Sequence, residues 1–111
     1  MSWQIFGTKK CRNTQKTERY FKERRIPYQF VNLMEKAISY GELEKIMKAV
    51  PLEELLDKQS KEYEKLNLKY MLFDPFQTLL EYPLLFKTPI VRMGMNASCG
   101  YQPQIWEKWK K

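Results

Sequence analysis

Trp3-Gln4-Ile5-Phe6-Gly7-Thr8-Lys9-Lys10-Cys11 is the stretch that decides the fold. Its first four residues are aromatic or apolar around a single Gln, as a short strand entering a core requires, and Gly7 reads as the turn that ends it. From Cys11 to about Arg25 there is neither Pro nor Gly. Lys, Arg, Glu and Gln dominate, which predicts a helix opening at the cysteine. Thr14, Thr17, Tyr20 and Phe21 recur at three- to four-residue spacing and form its inner stripe. Pro27 is expected to stop the helix, and Tyr28 to Leu33 alternates as a half-buried strand. Strand, helix, strand in this order makes a right-handed unit with parallel strands, whose functional edge lies where the first strand meets the helix.

Beyond this unit the pattern changes. From about 36 to 86 the apolar spacing is helical: Ser39 and Glu42 form a capping box ahead of Leu43, Ile46, Met47 and Val50. Pro51 suits a first helical turn before Leu52, Leu55 and Leu56, Lys61 to Leu66 supplies a turn or two, and Asp74-Pro75 is an N-cap and N1 pair. Extended structure returns at 89–92 and 97–99 around the loop Met93-Gly94-Met95-Asn96. A short helix from Gln104 to Lys110 follows, which Ile105, Trp106 and Trp109 would anchor.

The 111 residues, 43% of them apolar with six Phe, seven Tyr and three Trp, suffice for one core, so residues 1–111 are expected to form a single domain. No apolar run is long enough for a bilayer and the first residues lack the pattern of a signal peptide, which predicts a cytoplasmic protein without membrane contact. His is absent and the two cysteines, Cys11 and Cys99, lie near opposite ends of the chain. No metal site and no His-based nucleophilic triad are expected.

The net charge of +7 is uneven: residues 1–36 carry nine Lys and Arg against three Glu, residues 37–86 six against nine acids, and residues 87–111 five against one. Such a surplus serves solubility, an anionic ligand or nucleic acid. Interleaved Glu residues and the absence of a nucleic-acid-binding motif disfavour the last. A cysteine at a helix mouth is a sensible reactive thiol, because unpaired N–H groups and the positive end of the helix stabilise a thiolate. Lys9, Lys10 and Arg12 would add cationic charge, while Thr8, Asn13 and Thr14 would supply hydrogen bonds. An inert cysteine in a turn is the competing reading, and position alone does not choose between them.

Residues 5–11, the helix after them, the strand after Pro27 and the tail Lys87-Thr88-Pro89-Ile90-Val91 with Gly100-Tyr101-Gln102-Pro103 resemble the glutaredoxin-type arsenate reductase (ArsC) family over nearly the whole chain. The resemblance implies a thioredoxin-like α/β fold: a four-stranded mixed sheet of order 2-1-3-4, a helical insertion between strands 2 and 3, and a cis proline, here Pro89, beside Cys11. It implies Cys11 as catalytic residue, Thr88 and Pro89 as the place where glutathione or a partner's backbone binds, and glutathione as a co-substrate in place of a tightly bound cofactor.

The family's three oxyanion-holding arginines would fall where this chain has Asp57, Thr88 and Tyr101. An acid would repel an oxyanion, and single neutral donors replace a charged fork, so efficient arsenate reduction is not expected. Lys58, Lys87 and Arg92 are the cations left to substitute. The related Spx-type regulators, which bind RNA polymerase, resemble the same fold but use a Cys-x-x-Cys switch, whose second position here is Thr14. The implied function is therefore a monothiol oxidoreductase coupled to glutathione, glutaredoxin or thioredoxin. A non-catalytic regulator contacting RNA polymerase is the alternative.

Overall fold

Alternation in the first strand builds the molecule on two sides. In a computed structural model that describes residues 2–110, β1 (Trp3–Gly7) sends Trp3 and Ile5 to one face of a sheet and Phe6 to the other, and all three are buried. A strand covered on both faces belongs at the centre of a sheet. It lies between β2 (Tyr28–Asn32), which it pairs in parallel, and β3 (Ile90–Met93), which it pairs antiparallel; β4 (Asn96–Cys99) closes the order β2-β1-β3-β4. β3 repeats the division, with Ile90 on the Phe6 side and Val91 and Met93 on the Trp3 side.

On the Trp3 side pack α1 (Arg12–Glu23) and α6 (Pro103–Trp109). Their contact is an aromatic cluster: Phe21 meets Trp3 edge-on at 5.0 Å and Trp106 at 5.5 Å, Tyr20 meets Trp106 at 5.4 Å, and Trp109 lies 5.9 Å from Trp3. Trp106 is fully enclosed, and its indole N–H donates to Ser98 at 2.8 Å, so the buried donor has a partner. Both tryptophans thus anchor the last helix, as their spacing predicts.

The opposite face carries the helical insertion: α2 (Tyr40–Met47), α3 (Leu52–Leu55), α4 (Lys61–Lys65) and α5 (Pro75–Glu81), with single turns at Leu68–Tyr70 and Pro83–Leu85. Leu43, Ile46, Leu55, Leu79 and Leu85 are fully buried there against Phe6 and Ile90. The expected caps form. Ser39 and Glu42 exchange both bonds of a capping box, and Asp74 accepts from the N–H of Phe76 ahead of Pro75.

The structure moves several predicted boundaries. Gly7 is not a turn residue but the last residue of β1, paired with Asn32. α1 begins at Arg12, with Cys11 as its N-cap, and ends at Glu23, well before Pro27. What stops it is Arg25, held in the left-handed region at φ 56°. The N–H groups of Arg25 and Ile26 donate back to the carbonyls of Lys22 and Phe21, a Schellman closure with Arg where Gly is usual. Pro51 precedes α3 as its N-cap, whereas Pro103 is the first residue of α6. No described helix is long and apolar enough to cross a membrane.

Candidate functional site

The turn from β1 into α1 presents Cys11. Its N–H donates to the carbonyl of Thr8 at 3.2 Å, closing the turn, and its own carbonyl accepts the first helical bond from Gln15 at 3.0 Å. With φ −79° and ψ 121° it is an N-cap whose side chain makes no capping bond. The half-buried Sγ is therefore free to meet the segment entering β3, where the Thr88–Pro89 peptide bond is cis, and it donates to the carbonyl of Thr88 at 3.6 Å.

Thr14 faces the same sulfur one turn into α1. It is fully buried, yet its Oγ1 has no hydrogen-bond partner. Buried hydroxyls are rarely left so, because an unmet polar group in a core costs about 1–3 kcal/mol. The neutral thiol directs its proton at the Thr88 carbonyl and offers the Thr14 hydroxyl only a weak acceptor. The ionised sulfur would accept fully from that hydroxyl. Partial burial pushes the Cys11 thiol up, but hydrogen bonds from the hydroxyls of Thr14 and Thr88 and from the N–H groups of Thr14 and Asn13 outweigh burial and hold it below the ordinary thiol range. The local sequence thus builds a site that is better satisfied with a thiolate than with a thiol.

Gly7 makes this possible. A Cβ at that position would lie 2.5 Å from Thr14 Oγ1 and 2.7 Å from its Cγ2, inside contact distance, so only glycine lets the buried threonine pack across the end of β1. In the sequence Gly7 looks like a turn. The spacing of Gly7, Cys11 and Thr14 is the one signal that points to its role.

The predicted site residues divide into two groups. Cys11, Asn13, Thr14 and Thr88 converge on the sulfur, and buried Pro89 follows, its carbonyl accepting from Gly100 N–H at 2.8 Å. The remaining positions lie away from it. Thr8 contributes its backbone carbonyl to the turn. The Lys9 ammonium pairs with Glu18 at 3.2 Å and sits 4.3 Å from the Phe30 ring centre. Glu18, nearly buried, also accepts from the Tyr28 hydroxyl at 2.8 Å, while the side chain of Gln15 donates to the Lys9 carbonyl at 2.6 Å. Lys9 thus ties down the turn that carries the cysteine through the buried acid Glu18, which nothing in the sequence singles out. Lys10 and Arg12 are exposed, form no ion pair among the described residues and are not among the groups that shift the thiol.

The positions expected to carry arginine in an oxyanion-binding member hold none, and no cation among the described residues is one of the groups that shift the sulfur. Asp57 is half-buried and its carboxylate accepts from Gln59 N–H at 3.0 Å; Tyr101 is edge-on to Trp106. Arg92 reaches across the sheet to Gln4, and Lys87 lies by Cys99.

Cys99 is the counterpart in the other half of the molecule. Its sulfur donates to the carbonyls of Lys87 at 3.2 Å and Glu54 at 3.6 Å, and burial, only partly offset by Lys87 and reinforced by Glu54 and Asp57, pushes it up to about 11. It is held as a protonated thiol, half-buried against the insertion-side core.

A mixed sheet of this order, with α1 and α6 on one face, a helical insertion on the other and a cysteine capping the first helix beside a proline that leads the third strand, defines a thioredoxin-like protein. The chain belongs to the ArsC family, whose model matches residues 6–109. It is 26% identical over 102 residues to the global transcriptional regulator Spx of Staphylococcus aureus, a match spanning 87% of this chain and 78% of that one. Among solved structures, an ArsC-family-related protein from Bacteroides fragilis superposes with a TM-score of 0.86 at 21% identity, covering 97% of both chains. The arsenate reductase from Vibrio cholerae superposes at 0.81 with 24% identity, over 96% of this chain and 97% of that one. At these identities the two structures speak for the fold alone.

Proposed function

We propose that the protein is a monothiol oxidoreductase working through Cys11, with glutathione as co-substrate and glutaredoxin or thioredoxin as the other thiol partners, in the reducing cytoplasm. The Cys11 thiolate attacks one sulfur of an oxidised partner, forming a mixed disulfide and expelling the partner's second sulfur as a thiolate. An external thiolate then attacks the partner's sulfur in the mixed disulfide, Cys11 leaves as the thiolate it began as, and a second external thiolate attacks the first external sulfur in the new disulfide, releasing the partner's remaining sulfur as a thiolate. The two electrons that reduce the partner come from the two external thiols, which end as a disulfide. With Thr14 in place of a second cysteine near the helix mouth, and Cys99 held protonated elsewhere, resolution from outside is the route this chain has.

The observation that carries this reading is the buried hydroxyl of Thr14, partnerless beside the neutral Cys11 thiol. In the thiolate form the site gains what it lacks. Thr88 and Pro89, lying beside the sulfur, are the groups we assign to holding the partner's backbone.

Intact-mass measurement after exposure to oxidised glutathione tests it directly. One glutathione adduct is expected on the wild type, reversed by a thiol, and none on Cys11→Ser. An unmodified wild type, or an adduct that survives in Cys11→Ser, would sink the proposal. Arsenate turnover with glutathione and glutaredoxin is expected at background, because Asp57, Thr88 and Tyr101 supply no guanidinium.

Similarity to Spx favours one second reading, a regulator that contacts RNA polymerase and in which Cys11 senses oxidation or stands idle. A dithiol switch between Cys11 and position 14 is closed to it by Thr14. Retention of RNA polymerase by the immobilised protein, unchanged in Cys11→Ser, together with no glutathione adduct, would replace the enzymatic reading with this one.

A further inference from the structure

Arg12, Lys16 and Arg19 follow Cys11 at helical spacings of four and three, so they share one face of α1 and span about 10 Å along it. All three are exposed and none forms an ion pair among the described residues. The row does not stand on an open convex surface. Lys16 and Arg19 line one wall of a groove of about 430 Å³, opposed by Tyr101 and Pro103 at the start of α6. The Lys16 ammonium lies 5.7 Å from the Tyr101 ring centre. Glu23 and Arg24 complete the lining at the far end, where Arg24 is already occupied by Glu107 at 3.8 Å and by the Tyr20 ring. The unpaired positive charge is therefore concentrated in the part of the groove nearest Cys11.

We propose that the disulfide attacked by Cys11 belongs to a protein whose reactive cysteine is flanked within about three residues by Asp or Glu, and that this acidic segment lies along Arg12, Lys16 and Arg19 against Tyr101. The idea rests on the reading of Cys11 as the attacking thiol and adds its partner's chemistry. An extended chain advances about 3.4 Å per residue, so three residues cover the row of cations. The carboxylates meet charges that no side chain among the described residues pairs with, and the ring and proline give the backbone an apolar wall. Complementary charge of this kind acts mainly on the encounter rate and is lost in salt.

Two measurements test the groove and the thiol separately. In the first, a fluorescein-labelled peptide with Ser at the cysteine position followed by three Glu is titrated into full-length Cys11→Ser, next to the same peptide with three Gln. The Glu peptide is expected to bind about tenfold more tightly at low salt, and the advantage is expected to vanish at high salt and in Cys11→Ser carrying Lys16→Glu and Arg19→Glu. Equal binding of the two peptides overturns the proposal whatever the thiol does. Equally tight binding of a single-stranded RNA of matching charge overturns it in favour of nucleic acid.

In the second, wild type reacts with the cysteine versions of the peptides as thionitrobenzoate disulfides, followed by absorbance, and with oxidised glutathione. Lys16→Glu/Arg19→Glu is expected to slow the Glu peptide about tenfold and to change the glutathione rate less than twofold. If the glutathione rate falls as far, the groove serves a small tripeptide and the protein-partner proposal fails. If no disulfide reacts while the first measurement succeeds, the reading of Cys11 fails and the acidic-segment groove stands as a docking site alone.

Discussion

Cys11 and Cys99 lean on neighbouring carbonyls of one segment, Cys11 on Thr88 at 3.6 Å and Cys99 on Lys87 at 3.2 Å, yet their surroundings drive them in opposite directions. Around Cys11 the chain turns N–H and O–H groups toward the sulfur, because a helix begins there and Thr14 and Thr88 flank it. Around Cys99 it turns carbonyls, from Lys87 and also Glu54, with the acids Glu54 and Asp57 behind them. Donors favour the anion and acceptors favour the thiol. Burial opposes ionisation at both and is the leading cause at Cys99, where the nearby acids Glu54 and Asp57 add to it; at Cys11 the donors around the sulfur outweigh it.

The most direct way to break this contrast is competitive alkylation. At pH 7.5 iodoacetamide is expected to label Cys11 at least about 100-fold faster than Cys99, since one thiol lies below the ordinary range and the other near 11. Peptide mapping of a time course reads the ratio. Comparable rates would mean that burial beside Glu54 and Asp57 does not hold Cys99 protonated as described.

Gly7→Ala strikes at the donor side through space. The new Cβ would overlap Thr14 by nearly an ångström, and a β-branched residue on a buried helix face has few rotamers to escape into. Overpacking of this kind costs about 1–3 kcal/mol in denaturant unfolding, and Cys11 alkylation should slow as Thr14 is displaced. Unchanged stability would show that Thr14 can yield, and with it the claim that Gly7 shapes the site.

Thr14→Val sharpens the contrast by separating reactivity from stability. The shapes match and only the hydroxyl is lost. Because Oγ1 has no partner beside the neutral thiol, folding stability at pH 6 is expected to hold or rise slightly, while alkylation at pH 7 falls about fivefold and its pH profile moves up. A loss of stability with an unmoved pH profile would recast Thr14 as a packing residue.

The two sulfurs also mark how far the sequence alone reaches. Strand, helix and cap signals are local, so β1, α1, the insertion helices and the capping box at Ser39 are legible, and the family resemblance supplies the strand order. What failed were statements that depend on which groups meet in space or on a backbone conformation the residue type does not announce. Lys9 looks like a thiolate neighbour until Glu18, a helical acid expected to face water, folds inward with Tyr28 to take it. Gly7 looks like a turn until its missing Cβ proves to be the space Thr14 needs. Arg25 has nothing in its residue type to announce a left-handed helix stop. Cys11 was legible as a candidate, but the donors that lower it are partly backbone groups and partly Thr88, 77 positions away, and only the fold brings those together.

The smallest expected effect follows from the same opposition and appears as two slopes of opposite sign in the alkaline stability profile. Cys99 ionises at about 9 when unfolded and near 11 when folded, so its contribution is fully present below pH 9 and is lost between pH 9 and 11, where the unfolded chain releases a proton that the native one keeps. Cys11 is depressed on folding, so its contribution is present above pH 9 and fades as pH falls through its folded value. In Cys11→Ala the opposing cysteine slope is gone, and, with the raised Tyr20 and Tyr28 contributing alike to both variants, stability should decline by about 1 kcal/mol between pH 8 and pH 10 beyond any decline in the Cys11→Ala/Cys99→Ala double variant. Paired denaturant titrations at the two pH values measure that difference. Parallel profiles for the two variants would mean that Cys99 titrates alike in the folded and unfolded chains, and that burial beside Glu54 and Asp57 does not oppose its charge.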